Sequence, residues 1–419
     1  MKNLVYIIQS PPFWLKTPPL SLVYLKTYLK AKGIPTKTLD LNFELFKLIK
    51  PTLSSWLSLN KDFEEKLFSY TKSSHPEILE RIYKDVSGVE YIGLSILKRN
   101  QTFVQQLAEE INKRFPNKKI IFGGPETLFS KKDVLKKENH YLVIGQGEKP
   151  FYKIINNGHK KVYEFDELED LDNLPLYDLK GFGPLNYSQT LPLLSSRGCP
   201  QKCNFCSERL LAKKFRFHSP EYIVDQITHL KNIYKTNSFV FLDSLINYKE
   251  KWLYDFSSLL IKKNLQIKWE AQIRVKNNFP KTLAKLMKAS GCFNLFVGLE
   301  SGSDKMLKLM NKGFTTEEAL GFFKRLTAAG LHFETSLILG YPGEDDQDFK
   351  TTRKFIVKNK EIIPKIAQLN PFVDYLNEYK YKHFPSPLAK KRVSLLLKTM
   401  EKEKIRHTKS FINNLTYPS

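Results

Sequence analysis

The sequence predicts an α/β protein of two domains. A doubly wound, Rossmann-like parallel sheet is followed by an open, partial (β/α)6 barrel and a short helical C-terminal tail. Three observations carry this. The chain of 419 residues is too long for one ordinary core. Two series of short apolar runs alternate with helical spacing, one over residues 1–160 and one over 188–375. Between them, 161–187 (KVYEFDELEDLDNLPLYDLKGFGPLNY) is acidic and broken by Pro and Gly, and reads as a linker.

In the first series LVYIIQ (4–9), TKTLDL (36–41), VEYIGLSIL (89–97), KIIFGG (119–124) and YLVIG (141–145) are strand-like. Helical spacing fills 19–33, 100–115 and 147–158, with stops near Gly33, Pro116 and Gly158. The stretch 43–87 is a helical insertion between the second and third strands. Strand–helix alternation of this kind argues for a parallel sheet whose ligand lies beyond the carboxyl ends of the strands. The second series has strand candidates at 190–196, 238–243, 266–273, 292–300, 332–340 and 365–370. Ser219 before Pro220, and TTEE at 315–318, are helix-start signals. Six such units make an open barrel, and 376–419 is a basic tail with helical character over 386–413. No internal repeat is visible.

Hydrophobic residues at 42% and aromatics at 13% are ample for real cores. The first apolar run is only five residues long, which excludes a signal peptide, and no run reaches the ~18 residues of a membrane span. Four cysteines in this length do not make a disulfide framework, so a cytoplasmic, reducing setting is expected. A net charge of +24 raises the question of a nucleic-acid partner. Only 11 of the 67 basic residues are arginine, and the lysines are spread along the whole chain. That pattern favours a solvated lysine bias over a nucleic-acid surface, and charge alone does not decide between them.

Three of the four cysteines fall in SSRGCPQKCNFCSER (195–209), spaced Cys199-x3-Cys203-x2-Cys206. Three thiolates from one loop can grip one metal centre, with Gly198 and Pro200 supplying the turn. Zinc needs a fourth ligand, which no nearby Cys or His offers. Cys292 lies at the start of an apparent buried strand and reads as a core residue. An iron–sulfur cube held by three cysteines would leave one iron open to a ligand.

Cys-x3-Cys-x-aromatic-Cys after the first strand of a partial barrel resembles the radical S-adenosylmethionine (SAM) superfamily. The likeness continues in FVGLESGSDKMLKLMNKG (296–313) and ILGYPGEDDQDF (338–349). It implies a [4Fe-4S] cluster on Cys199, Cys203 and Cys206, with Phe205 beside the adenine. It also implies Glu300 and Ser301 near the SAM ribose, and Gly340 and Pro342 shaping the adenine wall. Asp243 and Arg274 would sit at strand ends facing the barrel mouth. Arg274 could hold the SAM carboxylate or form an ordinary salt bridge.

The first domain has no Gly-x-Gly-x-x-Gly after its first strand, which argues against a dinucleotide. Instead Ser95 and Leu97 at the third strand and Gly123, Gly124 and Pro125 at the fourth resemble parts of the cobalamin (B12)-binding pattern. The stretches 11–33 and 145–151 (GQGEKPF, with Gly145, Gly147 and Glu148) are similar to N-terminal domains of cobalamin-binding radical SAM proteins. The Asp-x-His-x-x-Gly element that supplies a lower histidine ligand is absent, so cobalt would have no protein imidazole; a domain that has lost its corrinoid stays open.

The resemblance implies reductive cleavage of SAM to methionine and a 5′-deoxyadenosyl radical, then methyl transfer from cobalamin to an unactivated carbon. The alternatives are a non-methylating radical SAM enzyme (cyclisation, ring contraction or rearrangement) and a basic nucleic-acid-binding protein with a structural metal site. Methylthiotransferases need three N-terminal cysteines, and 1–198 contains none. A small-molecule or peptide substrate and an electron donor such as flavodoxin or ferredoxin are the expected partners. The sequence singles out no catalytic side chain.

Overall fold

The computed structural model describes residues 5–408 apart from 53–55, 57–60, 157, 184–186 and 375–385. The chain divides into two compact units, the first running to Gln189 and including Leu211–Lys213, the second holding the rest from Thr190 onward among the described residues.

The first unit runs β1 (Val5–Gln9), α1 (Leu20–Ala31), β2 (Thr36–Asp40), α2 (Leu41–Ile49), α3 (Lys61–Ser74), α4 (Pro76–Ser87), β3 (Tyr91–Ser95), α5 (Gln101–Arg114), β4 (Lys119–Gly123), α6 (Lys131–Val134), β5 (His140–Ile144), α7 (Glu148–Ile155) and β6 (Val162–Glu164). All six strands are parallel, in the order β2-β1-β3-β4-β5-β6. β1 is buried at every position, because helices cover both faces of the sheet. The order reverses between β1 and β3, which puts the ligand crevice of such a sheet at the carboxyl ends of these strands.

The expected insertion is α2–α4, packed into the same core through Leu45, Trp56, Leu67, Ile78 and Ile82. In α4 the buried Ile78, Leu79, Ile82, Tyr83 and Val86 recur at helical spacing, each contributing roughly 1.5–3 kcal/mol on burial. The linker expectation needs a correction. Residues 162–164 form β6, which pairs with β5, and the first unit extends to Gln189. A three-residue strand inside an acidic stretch is too short to show a period.

The second unit runs β7 (Thr190–Leu193), β8 (Ser196–Arg197), α8 (Glu208–Leu211), β9 (Arg216–Phe217), α9 (Pro220–Tyr234), β10 (Ser238–Phe241), α10 (Glu250–Lys262), β11 (Lys268–Ile273), α11 (Lys281–Ala289), β12 (Cys292–Glu300), α12 (Asp304–Leu309), α13 (Thr316–Ala328), β13 (His332–Leu339), α14 (Asp346–Lys358), β14 (Ile366–Pro371) and α15 (Pro387–Lys402). Its sheet is parallel throughout, in the order β14-β13-β12-β11-β10-β7, the open six-stranded arrangement expected. Ser219 caps α9 by accepting from the Tyr222 N–H, and Thr315 and Glu318 form a capping box on α13. Cys292 is buried, and burial pushes its thiol well up, as befits a core residue.

The C-terminal helix is α15, which packs on β13, β14 and α14. It ends at Lys402 rather than 413, and 409–413 lie outside the described residues. Beyond it the backbone turns back to the β14 edge, where Ile366 N–H donates to Arg406 O at 2.9 Å and Thr408 N–H to Ile366 O at 3.2 Å. Among the described residues no helix is long and apolar enough to cross a membrane.

Candidate functional site

The three cysteines lie on the loop between β8 and β9, which pair antiparallel and so close 198–215 on itself. Gly198 adopts a left-handed φ of 80°, which lets the chain turn sharply into Cys199. Cys206 N–H donates to Cys203 O at 3.2 Å, a tight turn that spaces the last two thiols. The loop is clipped to the C-terminus of α12. Asn204 donates from its backbone to Met310 O (3.0 Å) and from Nδ2 to Leu309 O (2.8 Å), and Asn311 Nδ2 donates to Lys202 O (2.8 Å). Carbonyls left over by the helix thus hold the loop. Burial raises the Cys199 thiol and pushes that of Cys206 to about 11, so iron must displace protons to load. Among the described residues no three Cys, His, Asp or Glu side chains come together to cage a single ion. A four-iron cube is wider and takes more widely spaced thiolates.

Arg274, just past β11, donates from Nη1 to Cys203 Sγ at 3.4 Å. Asn247, fully buried, fixes its backbone with two bonds, Arg274 N–H to Oδ1 (3.0 Å) and Nδ2 to Arg274 O (2.8 Å). Asp243 has a different occupation from the one expected. Its carboxylate is buried and accepts from Ser195 N–H (2.9 Å), Ser195 Oγ (2.7 Å) and Ser196 Oγ (2.5 Å), pinning the chain where it enters the cysteine loop. Burial raises its pKa to about 6.

Glu300 ends β12 at a register shift, with a left-handed φ of 70° that a non-glycine residue adopts only when held there. Ser336 Oγ donates to its Oε2 (2.9 Å) and Lys312 Nζ to its Oε1 (3.3 Å). The Lys312 ammonium also lies 5.6 Å from the Phe205 ring centre and 5.5 Å from that of Phe314. The structure therefore links Cys203, Arg274, Phe314, Lys312, Phe205 and Glu300 into one chain of contacts.

Ser301 turns inward. Its hydroxyl accepts from Ser303 N–H (3.1 Å) and sits 3.1 Å from Thr352 Oγ1, leaving only backbone for a ligand. Gly340 (φ 76°) donates its N–H to Glu344 Oε2 at 2.6 Å, and a side chain there would overlap Ala389 of α15. Pro342 is exposed in the same turn. Glu344 is itself held by the buried Arg392 of α15, from Nη1 at 2.7 Å, while Nη2 reaches Asp346 at 2.9 Å.

In the first unit Asn100 gathers the carboxyl ends of β1 and β3. Its Nδ2 donates to Ser10 O (3.0 Å) and Ser95 O (3.2 Å), and its Oδ1 accepts from Leu97 N–H (2.8 Å). Gly124 holds φ 103°, ψ 169°, and an added Cβ would lie 2.5 Å from Ile96 O. A Cβ on neighbouring Gly123 would meet nothing within 4 Å. Pro125 opens the short turn that follows. Gly145 (φ 91°) faces Phe165, Gly147 backs on Leu25, and Glu148 begins α7 as a buried acid. The Ser10 hydroxyl is buried without a hydrogen-bond partner at the end of β1. An orphaned hydroxyl at the reversal point of the sheet and an open glycine at the end of β4, paired with β3, fit a bound polar cofactor such as the tail of cobalamin. The loop after β1 carries no histidine.

Residues 193–356 match the family model described as Radical SAM superfamily. The chain's fold is similar to that of two solved structures of low sequence identity. It superimposes on the cobalamin-dependent SAM radical enzyme OxsB (TM-score 0.67, 16% identity, 96% of this chain and 56% of that one). It also superimposes on the methyltransferase TsrM of Kitasatospora setae (TM-score 0.68, 14% identity, 89% and 76%). Among curated relatives, an uncharacterized methyltransferase of Pyrococcus horikoshii is 29% identical over 61% of this chain and 60% of its own length. Bacteriochlorophyllide d C-12(1)-methyltransferase of Chlorobaculum tepidum is 27% identical over 54% and 52%. An anaerobic magnesium-protoporphyrin IX monomethyl ester cyclase of Rubrivivax gelatinosus is 24% identical over 66% and 55%. The chain thus spans roughly half to three fifths of the length of these curated relatives.

Sequence reasoning missed Asn204, Asn247, Asn311, Lys312 and Arg392. Asn311, Lys312 and Gly313 stand together as NKG after an amphipathic run, a turn signal that could have drawn attention to them.

Proposed function

We propose that this chain is a cobalamin-dependent radical SAM methyltransferase that acts on an unactivated carbon. The observation that carries the reading is the cysteine loop, clipped to α12 and faced by Arg274 and Glu300, on a barrel that follows a doubly wound unit whose loop after β1 holds no histidine. Cys199, Cys203 and Cys206 would hold the cluster. Asp243 fixes the entry to their loop, and Arg274 places positive charge at Cys203. Glu300, Phe205 and the backbone of Ser301, Gly340 and Pro342 would bind SAM. Ser95, Leu97, Gly123, Gly124, Pro125, Gly145, Gly147 and Glu148 would bind cobalamin. Bound there, the cofactors supply a 5′-deoxyadenosyl radical and a transferable methyl group. A basic surface suits an acidic one-electron carrier such as flavodoxin or ferredoxin, and free thiols suit the cytoplasm. A small molecule or peptide is the substrate class.

The relative named as a cyclase favours a second reading, ring-forming radical chemistry on the same site. Both are tested by anaerobic reconstitution with iron, sulfide and hydroxocobalamin, then desalting, metal analysis and electronic spectra. About four irons and one cobalt per chain, with transfer of label from methyl-labelled SAM, are expected. Four irons without cobalt would sink the cobalamin step and favour the second reading. Zinc in place of iron would sink both.

A further inference from the structure

We propose that Arg274, aimed by Asn247, sets how readily a cluster on Cys203 accepts its electron, because the guanidinium stabilises the reduced, more negative form. This rests on the cluster reading above and goes beyond it by assigning residues to the reduction potential rather than to ligation. Reduction adds one electron, drawn from a one-electron carrier, and so adds one negative charge beside the Cys203 sulfur. A donor on that sulfur favours the added charge, which is how hydrogen bonds to ligand sulfurs tune iron–sulfur potentials. Arg274 Nη1 donates to Cys203 Sγ at 3.4 Å. Among the described residues this sulfur is the acceptor its side chain meets, and no carboxylate lies within ion-pair distance of it. Lys312, the other cation nearby, is by contrast balanced by Glu300. Phe314 lies 5.7 Å from the Arg274 guanidinium carbon and meets its face, which leaves the edge donors for sulfur. Gly313 makes room for the far edge, since a Cβ there would lie 3.2 Å from Arg274 Nη2.

The aim is built into the backbone. Asn247 is fully buried and spends its acceptor and one donor on the two backbone groups of Arg274. It belongs to the loop between β10 and α10, and that loop reaches the cysteine segment at two further points. Asp243 accepts from Ser195 and Ser196, ahead of Cys199. Ser244 Oγ donates to Glu208 Oε2 at 2.9 Å, just past Cys206. Ile246 N–H donates to Gln272 O at 2.8 Å and fixes the same loop to β11 shortly before Arg274. The short segment 243–247 thus holds both ends of the cysteine loop and the donor aimed at its middle. The spacing of guanidinium and sulfur is set by these anchors, not by a long flexible side chain alone.

The test reads a potential rather than turnover. Wild type, Arg274→Gln, Arg274→Lys, Asn247→Ala and the Arg274→Gln/Asn247→Ala double variant are reconstituted anaerobically with iron and sulfide. Each is analysed for iron per chain and titrated with dithionite under EPR, first without SAM. Arg274→Gln is expected to lower the ratio of reduced to oxidised cluster at fixed poise by about tenfold, which is about 59 mV toward more negative potential for a one-electron couple. Arg274→Lys keeps the charge without the planar fork and should recover part of that ratio. Asn247→Ala leaves the guanidinium in place but loosens its aim. It should shift the ratio the same way by about two- to fivefold, and should add nothing further on top of Arg274→Gln. Loss of iron with an unchanged potential in the clusters that remain would mark a merely structural role and overturn the proposal. So would full additivity of the two substitutions. If Arg274→Gln holds no cluster, Arg274→Lys and Asn247→Ala carry the test, and a wild-type potential in both overturns it. The titration is then repeated with SAM. A shift in Arg274→Gln seen only with SAM present would give the guanidinium to the SAM carboxylate and overturn the proposal. A wild-type cluster indifferent to Arg274 overturns this inference alone, whereas wild type that binds no iron overturns the cluster reading beneath it.

Discussion

Gly123 and Gly124 are neighbours that answer to opposite demands. Gly124 sits where only glycine fits, in a backbone region closed to L side chains and against Ile96 O. Gly124→Ala should cost about 1–3 kcal/mol, read as a lower urea midpoint of the first unit. Gly123 faces open space, so Gly123→Ala should leave that midpoint unchanged and lower only the cobalt retained after reconstitution. Asp243 gives a pH test. Burial lifts its carboxyl from 3.8 to about 6, so the folded chain binds an extra proton between those values. Its contribution to stability is full below about pH 4 and is lost as pH rises through about 6. Asp243→Asn lacks that loss. The stability advantage of wild type over the variant should therefore shrink by on the order of 1–3 kcal/mol between pH 4 and pH 7 in urea unfolding. The cysteines could be singled out because they stand close together in sequence, and Glu300 through the resemblance of the stretch 296–313 around it. The roles of Lys312 and Asp243 could not be, since each depends on a partner 12 to 48 residues away.

At the scale of elements, α15 belongs to the barrel unit. Arg392 is buried and braces Glu344, which takes the Gly340 amide, while Ala389 fills the space beside Gly340. Arg392→Met leaves the buried Glu344 carboxylate unpaired. It should cost about 3–5 kcal/mol in urea unfolding. Adding Glu344→Gln should recover part of this, since the two residues are coupled. The parallel strands were readable as apolar runs, and the capped starts of α9 and α13 as Ser-Pro and Thr-Thr-Glu-Glu. β6 was hidden in acidic sequence because pairing with β5, not its own pattern, makes it a strand. The docking of α15 was hidden too, because a basic amphipathic helix reads the same whether it covers a core or faces water.

For the whole molecule, two units with separate cores predict two unfolding steps. Calorimetry should show hydroxocobalamin raising one transition and cluster plus SAM raising the other, each by mass action on the unit it binds. A single transition moved by both would show the units to be one cooperative block. The two sheets and their order of domains were visible in sequence as two strand–helix series; the boundary moved because the linker region folds onto the first sheet. The return of residues 406–408 to the β14 edge has a further consequence for synthesis. The cysteine loop emerges from the ribosome some two hundred residues before the segment that completes the sheet. At about 5–20 residues per second, its thiols wait roughly 10–40 s for their barrel. Through roughly the first half of that interval, iron delivered early meets a loop without Arg274, Glu300 or α12. Slow translation of the second half should therefore cost cluster-loaded protein even where the final fold is unaffected, read as iron per chain after expression with slow codons placed over 210–310.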